Sequence, residues 1–349
     1  MSRIMDMRRT RRLAVAGGLA LASLVAAVGV TWLDIRQAWT PDVSGPVLPD
    51  WGASVASARE IRIDSGSDRF VLERQGDGWV MPSRDNYPVR DDRLAELDAF
   101  LAALDYAGAR TADPDKHARL GLASGNGDGA ATRVTVRDAA GDVTADILLG
   151  HQAEDIVYVR FPGRNRTYAA RSGETTANMP DIAEAQDWLE LDFLELGGND
   201  IARATIQPET GPAYTLERAS PSIRNFALRE PAGWRPITAA AGNGPANALA
   251  RVRFRDVRAA SRLGGEVVAR HEAETFGGLQ VELDVRALAE TRWATVRVQA
   301  LTDDVEETAA VLGERVDGWA YLVSDLTLDR MVRSLDQIAD PRPEPLDAP

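Results

Sequence analysis

Hydrophobic residues are arranged along the chain in two different ways. From Leu13 to Leu33 they form one run of 21 residues that contains no charged side chain. At about 1.5 Å per residue, a helix of this length extends about 31 Å, which matches the hydrocarbon core of a bilayer. Beyond residue 58 the apolar positions come as short alternating stretches, a pattern typical of β-strands. The pattern therefore predicts a transmembrane anchor followed by a folded, strand-rich portion.

The residues that flank the apolar run predict its orientation. Five arginines precede the run: Arg3, Arg8, Arg9, Arg11 and Arg12. Such residues stay on the cytoplasmic side, whereas Trp32 and Trp39 suit the opposite membrane–water interface. A cleaved secretory signal is shorter and ends in small residues, so we favour an uncleaved anchor. This predicts a single-pass protein of the cytoplasmic membrane, with its N-terminus inside and its bulk extracytoplasmic.

Two segments of similar pattern follow a linker, rich in proline and glycine, at residues 37–57. In the first segment the order is an alternating stretch around Ile63, an aromatic-x-Leu-Glu-Arg stretch ending at Arg74, Gly78-Trp79, and a leucine-rich helix from Asp91. The second segment repeats the aromatic-x-Leu-Glu-Arg stretch, ending at Arg218, and has Gly233-Trp234 with a helix expected at residues 245–252. This agreement in order predicts an internal duplication.

These patterns predict an α+β fold class, in which a single N-terminal transmembrane helix precedes two tandem copies of a mainly antiparallel sheet-plus-helix unit. We expect five divisions of the chain: an arginine-rich cytoplasmic tip with its anchor (residues 1–36), a linker (37–57), a first α+β repeat (58–197), a second α+β repeat (198–340) and a disordered tail (341–349).

Charge and composition narrow the classes of partner. The 349 residues carry a formal net charge of −13, although the arginine-rich first 36 residues are positive. The remainder is therefore strongly acidic, which disfavours binding to nucleic acid or to an anionic lipid surface. The chain has no cysteine, so disulfides and thiolate chemistry are excluded.

No residue pattern identifies a catalytic, cofactor or metal site. The three histidines, His117, His151 and His271, are far apart and lack the spacing of metal ligands. The glycine-rich stretch at residues 125–129 could suggest a phosphate cradle, but it lacks the lysine and the Ser/Thr of a P-loop and is better interpreted as a loop. We predict no catalytic residues, no cofactor and no metal.

Four residues are candidates for ligand or partner contact, and each has a structural alternative. Trp79 and Trp234 could stack on a sugar or peptide, but a tryptophan at the end of a β-meander usually packs beneath the next helix. Arg74 and Arg218 could bind a partner or could lie on a solvated strand face.

The order of short motifs along nearly the whole chain resembles a bacterial family known as domain of unknown function 4340. The motifs that carry this resemblance are the stretch that ends at Arg74, Gly78-Trp79, Tyr87-Pro88, Lys116 with Leu120-Gly121-Leu122, Leu148-Leu149-Gly150, Tyr158-Val159-Arg160 and Asp187-Trp188-Leu189. The resemblance implies an extracytoplasmic protein that is often encoded beside a gliding-motility-type ABC transporter and its auxiliary subunit. It supplies no catalytic residues.

The function that we expect is that of a non-catalytic, membrane-anchored interaction or auxiliary protein of an ABC-type transport or envelope complex. Its expected partner is an integral membrane protein, either an ABC permease or its auxiliary subunit. Two alternatives stay open at this point: an envelope hydrolase, or a protein that binds a glycan, peptide or small solute, with a site between the two repeats.

Overall fold

The computed structural model describes Ser23, Val25 and residues 42–172 and 178–342. Apart from Ser23 and Val25, the predicted anchor lies outside the described residues, as does most of the predicted C-terminal tail. Among the residues that are described, no helix has the length and apolarity needed to cross a membrane.

The described chain consists mainly of β-strands. Its strands are β1 (Ala58–Asp64), β2 (Arg69–Gln75), β3 (Gly78–Met81), β4 (Tyr87–Pro88), β5 (Leu104–Ala109), β6 (Thr132–Asp138), β7 (Val143–Ala153), β8 (Ile156–Arg160), β9 (Thr167–Ser172), β10 (Ile201–Gln207), β11 (Tyr214–Glu217), β12 (Ala227–Glu230), β13 (Trp234–Pro236), β14 (Asp256–Ala259), β15 (Val267–Thr275), β16 (Leu279–Leu288), β17 (Thr291–Ala300), β18 (Trp319–Leu322) and β19 (Ala339–Pro341). Its α-helices are α1 (Trp51–Ser57), α2 (Asp91–Ala102), α3 (Asn243–Ala246), α4 (Glu306–Val316) and α5 (Asp325–Met331).

The chain divides into two compact units that are not simple consecutive segments. The first unit comprises the described residues within Met1–Arg74 and Asp91–Ala185, and the second comprises those within Gln75–Arg90 and Gln186–Pro349. The short segment that carries β3 and β4 therefore belongs to the second unit, although it precedes most of the first unit in sequence.

In the first unit, seven neighbouring strands pair antiparallel in the order β2-β1-β6-β7-β8-β9-β5. The alternation predicted around Ile63 is present, since Ile61 and Ile63 are both buried. Helix α1 packs on β6 and β7 and against α2. Trp51 joins the two helices by donating a hydrogen bond from Nε1 to Asp98 Oδ1 at 2.8 Å.

In the second unit, eight strands form an antiparallel sheet in the order β12-β11-β10-β15-β16-β17-β18-β14. Helix α4 packs on β17, and the short helix α3 packs on β10. Two further strand pairs, β3 with β4 and β13 with β19, belong to the same unit. The order β11-β10-β15-β16-β17-β18-β14 repeats the order of the first unit strand for strand.

The predicted fold class is wrong, because the structure is mostly antiparallel β with few helices. The expected helix at residues 245–252 is replaced by the four-residue α3, which ends at Ala246. The chain after α3 is instead held as a bridge, in which the Val252 N–H donates to the Leu194 carbonyl at 2.9 Å. The longest described helix, α2, has only 12 residues.

Candidate functional site

The two tryptophans nominated from sequence are half-buried and do not belong to the fully buried core. Trp79 lies in β3, a strand of four residues, and Trp234 lies in β13, a strand of three residues that pairs with β19. A tryptophan that does fill the core is Trp188, whose exposed fraction is 0%. The pattern of glycine followed by tryptophan therefore locates strands but does not locate the core.

The two nominated arginines have different surroundings. Arg74 is half-buried, and its Nε is buried without a hydrogen-bond partner among the described residues. Arg218 is buried, with only 5% of its surface exposed. Its hydrogen bonds and ring contacts involve neither Trp79 nor Trp234.

Arg218 clamps one end of the second unit's sheet. Its Nε donates to the Ile201 carbonyl at 2.7 Å, its Nη2 to the Gly198 carbonyl at 2.6 Å, and its Nη1 to the Ile223 carbonyl at 3.4 Å. The guanidinium also lies 4.6 Å from the ring centre of Phe226. Because these contacts join the start of β10 to the loop between β11 and β12, Arg218 is a structural cation and not a solvated strand residue.

Burial lowers the pKa of Arg218, and the nearby negative charge of Asp200 opposes that effect. The guanidinium therefore sits where its charge is poorly solvated and is stabilised by carbonyl dipoles and aromatic faces. Arg218 is thus one of the side chains that hold the loop after β11, together with Asn243, which accepts from the Phe226 N–H at 3.1 Å.

Three exposed apolar residues lie in the loop that Arg218 holds or at the turn beside it. Phe276, in the turn between β15 and β16, has its ring centre 5.7 Å from the Arg218 guanidinium and is 38% exposed. Ile223 is 43% exposed, and Leu301, at the end of β17, is 49% exposed. The Leu301 N–H donates to the Gly278 carbonyl at 2.8 Å, which places it beside the same turn. We call Ile223, Phe276 and Leu301 the apolar tip.

Four exposed carboxylates come directly after the apolar tip in sequence: Asp303, Asp304, Glu306 and Glu307. They belong to the turn after β17 and to the first turn of α4. The part of the surface around Leu301 therefore continues into an acidic stretch. Sequence reasoning missed it because single exposed hydrophobic residues in three separate loops have no recognisable spacing.

A second feature lies in the first unit, where three motifs that are far apart in the chain meet: Leu120-Gly121-Leu122, Leu148-Leu149-Gly150 and Tyr158-Val159-Arg160. Gly121 has a φ of +68°, and a Cβ at this position would lie 2.6 Å from the backbone nitrogen of His151. Leu122 and Leu148 share one buried cluster with Ala131. The Arg160 Nη2 donates to the Leu122 carbonyl at 3.0 Å. The glycine of the Leu-Gly-Leu motif is thus required by a close approach of backbones.

The three histidines occupy unrelated places. The His117 Nε2 hydrogen-bonds to the Asn165 carbonyl at 2.8 Å, whereas His151 is exposed. His271 is fully buried, and its Nδ1 lies 2.7 Å from the Met331 carbonyl. Burial lowers the pKa of His271 to about 4. Within the described residues, no group of three or more His, Cys, Asp or Glu side chains is placed to hold a metal ion.

Comparison with known proteins identifies a family. Residues 79–266 match the model of a family described as a domain of unknown function (DUF4340). No curated protein and no solved structure matches the chain. The matched segment includes Arg218 and the motifs that meet at Gly121, but it ends before Phe276 and Leu301.

Proposed function

The protein belongs to the DUF4340 family, and from this premise we propose that it is a non-catalytic interaction protein of an extracytoplasmic transport or envelope complex. The family description carries no activity. The observation that supports the proposal is the apolar tip, a set of exposed hydrophobic side chains of which Ile223 and Phe276 contact the buried Arg218.

The apolar tip has the composition of a small protein-binding surface. Apolar and aromatic side chains that are fixed before binding lose little conformational entropy when they are covered. Phe276 supplies an aromatic anchor, and Leu301 and Ile223 supply apolar contact beside it. Arg218 contacts Ile223 and Phe276, and the Leu301 N–H bonds to the Gly278 carbonyl, so these contacts favour a preformed surface.

The acidic side of the tip favours a protein partner over a lipid surface. Exposed carboxylates such as Asp303 and Glu306 would be repelled by anionic headgroups. They would favour a partner whose apolar patch is bordered by arginine or lysine. We propose that this partner is an integral membrane protein, either an ABC permease or its auxiliary subunit, as the resemblance to the family implies.

The proposed location rests on sequence. Arginines precede the apolar run that begins at Leu13, and this arrangement favours a cytoplasmic N-terminus with the two units outside. The tip would then meet its partner on the outer side of the cytoplasmic membrane.

Cross-linking in intact cells, followed by mild detergent extraction, affinity capture and quantitative mass spectrometry, tests the proposal. We expect Leu301→Ser to reduce recovery of transporter subunits about tenfold, since burying such a side chain contributes about 1.5 kcal/mol or more. Leu326, on helix α5, is 73% exposed, so Leu326→Ser is the matched control. Thermal melting of both variants shows whether either substitution also affects folding.

Two results would contradict the proposal. One is recovery of the protein alone when transporter subunits are present in the cells. The other is equal recovery of subunits with Leu301→Ser and Leu326→Ser.

A further inference from the structure

A polar cavity of about 270 Å³ lies in the first unit. Its lining includes the side chains of Arg69, Arg133 and Arg160, together with Asp64 and the loop at residues 123–126. We call it the arginine cavity. It uses no residue of the proposed partner surface.

The register of the sheet explains how these side chains meet. Arg69 pairs with Asp64, Asp64 with Arg133, Arg133 with Leu148, and Leu148 with Arg160. Residues that are directly opposite on paired strands point to the same face of a sheet. One row across β2, β1, β6, β7 and β8 therefore places three guanidiniums on one face.

Among the described residues, the carboxylates around this row balance only two of the three cations. Asp64 lies 2.7 Å from the Arg69 Nε, and the two oxygens of Asp146 accept from the Arg133 Nε and Nη2 at 2.8 and 2.6 Å. Arg160 donates instead to the Arg164 and Leu122 carbonyls and to the Ser124 hydroxyl. The cluster is thus left with one positive charge, in a chain whose net charge is −13.

Arg160 is the unbalanced cation. Only 5% of its surface is exposed, and its Nε is buried without a hydrogen-bond partner among the described residues. Burial lowers its pKa, which reflects a charge that is separated from water. A buried cation without a counter-ion is costly, so an anion in the adjoining cavity would be strongly favoured.

The glycine-rich loop supplies further donors. Gly125 and Gly127 have φ values of +94° and +125°, which only glycine adopts easily. The backbone N–H groups of Gly125 and Asn126 donate no hydrogen bond within the described part of the chain. Loops whose backbone N–H groups are free and lie beside arginine guanidinium groups are suited to binding tetrahedral oxyanions. The absence of a P-loop lysine is offset by the arginines from the sheet.

We propose that the arginine cavity binds the phosphate group of a small solute. Arg133 and Arg69, whose side chains are 45% and 68% exposed, reach the anion from the cavity mouth. Arg160 supplies a fixed positive charge at the inner wall. The volume is slightly below the usual range for drug-sized ligands, so the rest of the solute is small.

Calorimetric titration of the full-length protein in detergent, in chloride buffer, tests the ligand class. Inorganic phosphate and glycerol 3-phosphate are the probes, with glycerol and acetate as controls. We expect saturable binding of the phosphate probes and none of the controls. Tighter binding of glycerol 3-phosphate would identify an organic phosphate, and equal binding of the two probes would identify free phosphate. Lack of saturable binding by both probes, or equal binding of acetate, overturns the proposal.

Single substitutions test the site itself. Arg133→Gln and Arg69→Gln should each weaken phosphate binding about tenfold, through loss of one charge-assisted contact. Arg171→Gln is the matched control, because Arg171 is also an exposed strand arginine, 2.8 Å from Asp155 in an ion pair, and lies outside the cavity lining. Equal phosphate affinity of Arg133→Gln and Arg171→Gln would refute the site.

Arg160→Lys keeps the positive charge but replaces the planar guanidinium group, which donates several hydrogen bonds, by a single ammonium group. We expect it to weaken phosphate binding at least as much as Arg133→Gln. The melting temperature of this variant without phosphate separates loss of folding from loss of phosphate binding. If Arg160→Lys does not fold, the phosphate affinities of Arg133→Gln and Arg69→Gln test the site.

Discussion

At the scale of single residues, the chemistry of a side chain depends on burial that its sequence neighbours do not reveal. Arg74 and Arg218 end the same aromatic-x-Leu-Glu-Arg stretch, yet Arg218 is a buried clamp with three carbonyl partners. The solvated-face interpretation was wrong for Arg218 because the loop after β11 folds back over it. The motif Tyr158-Val159-Arg160 was recognised, but the place of Arg160 in a cavity was not, because its neighbours across the sheet lie many residues away in sequence.

His271 makes a prediction about acid stability. Its pKa is about 4 in the folded protein and about 6.5 when unfolded, so the unfolded chain takes up the proton first as the pH falls. The free energy of unfolding should therefore decrease between pH 6.5 and pH 4, by about 3 kcal/mol from this group, and the effect should be absent above pH 6.5.

Denaturant unfolding as a function of pH, for the wild type and for His271→Gln, measures this contribution. The variant should have a flatter profile in that pH window, whereas His151→Gln, which changes an exposed histidine, should keep the wild-type slope. Identical slopes for the wild type and His271→Gln would show that His271 does not titrate as described.

At the scale of elements, strands were easier to predict than helices. Alternation located β1, β2 and most later strands, because one buried face imposes a period of two. The prediction of a helix at residues 245–252 was wrong because backbone pairing with a distant segment prevailed over local helix preference. At Val252, for example, the N–H bonds to the Leu194 carbonyl. The partner residue in such a bridge lies far away in sequence, so the local sequence around Val252 does not predict the bridge.

The clamp at Arg218 gives a prediction at this scale. Arg218→Lys keeps a positive charge but cannot reach three carbonyls with one ammonium group, so the loop between β11 and β12 should open more often. Hydrogen exchange followed by mass spectrometry should show faster exchange at residues 219–226. Arg203→Lys, at a strand arginine that is about half exposed, is the control and should leave that loop unchanged. Unaltered exchange in Arg218→Lys would argue against the clamp.

At the scale of the whole molecule, the sequence predicted the family and the strand-rich character but misjudged the class. The resemblance rested on ordered short motifs, and the match over residues 79–266 confirms the family. The apolar tip and the arginine cavity were beyond prediction, because each is assembled from loops or strands whose pairing had to be known first. Motif glycines such as Gly121 have physical roles that become visible only in the folded chain.

The proposed location is also tested at this scale. Alkaline phosphatase fused after Ser57 should be active in cells, since the enzyme folds outside the cytoplasm and the arginines before Leu13 favour export of the chain beyond the apolar run. A fusion that replaces those arginines by glutamates is the control, and its activity should fall severalfold. An inactive fusion behind the native arginines would place residue 57 inside the cell.

The row of paired residues that lines the arginine cavity has a consequence for insertions and deletions. Each strand contributes one position, and a shift of one residue in any strand turns its side chains to the opposite face. A single-residue deletion within β6 would therefore turn Arg133 away from the cavity and bring Thr132 or Val134 into its place. The cavity can thus vary by substitution at each strand, but a change of one residue in strand length keeps these side chains in place only if a β-bulge absorbs it, as the register shifts in β6–β7 and β7–β8 already do.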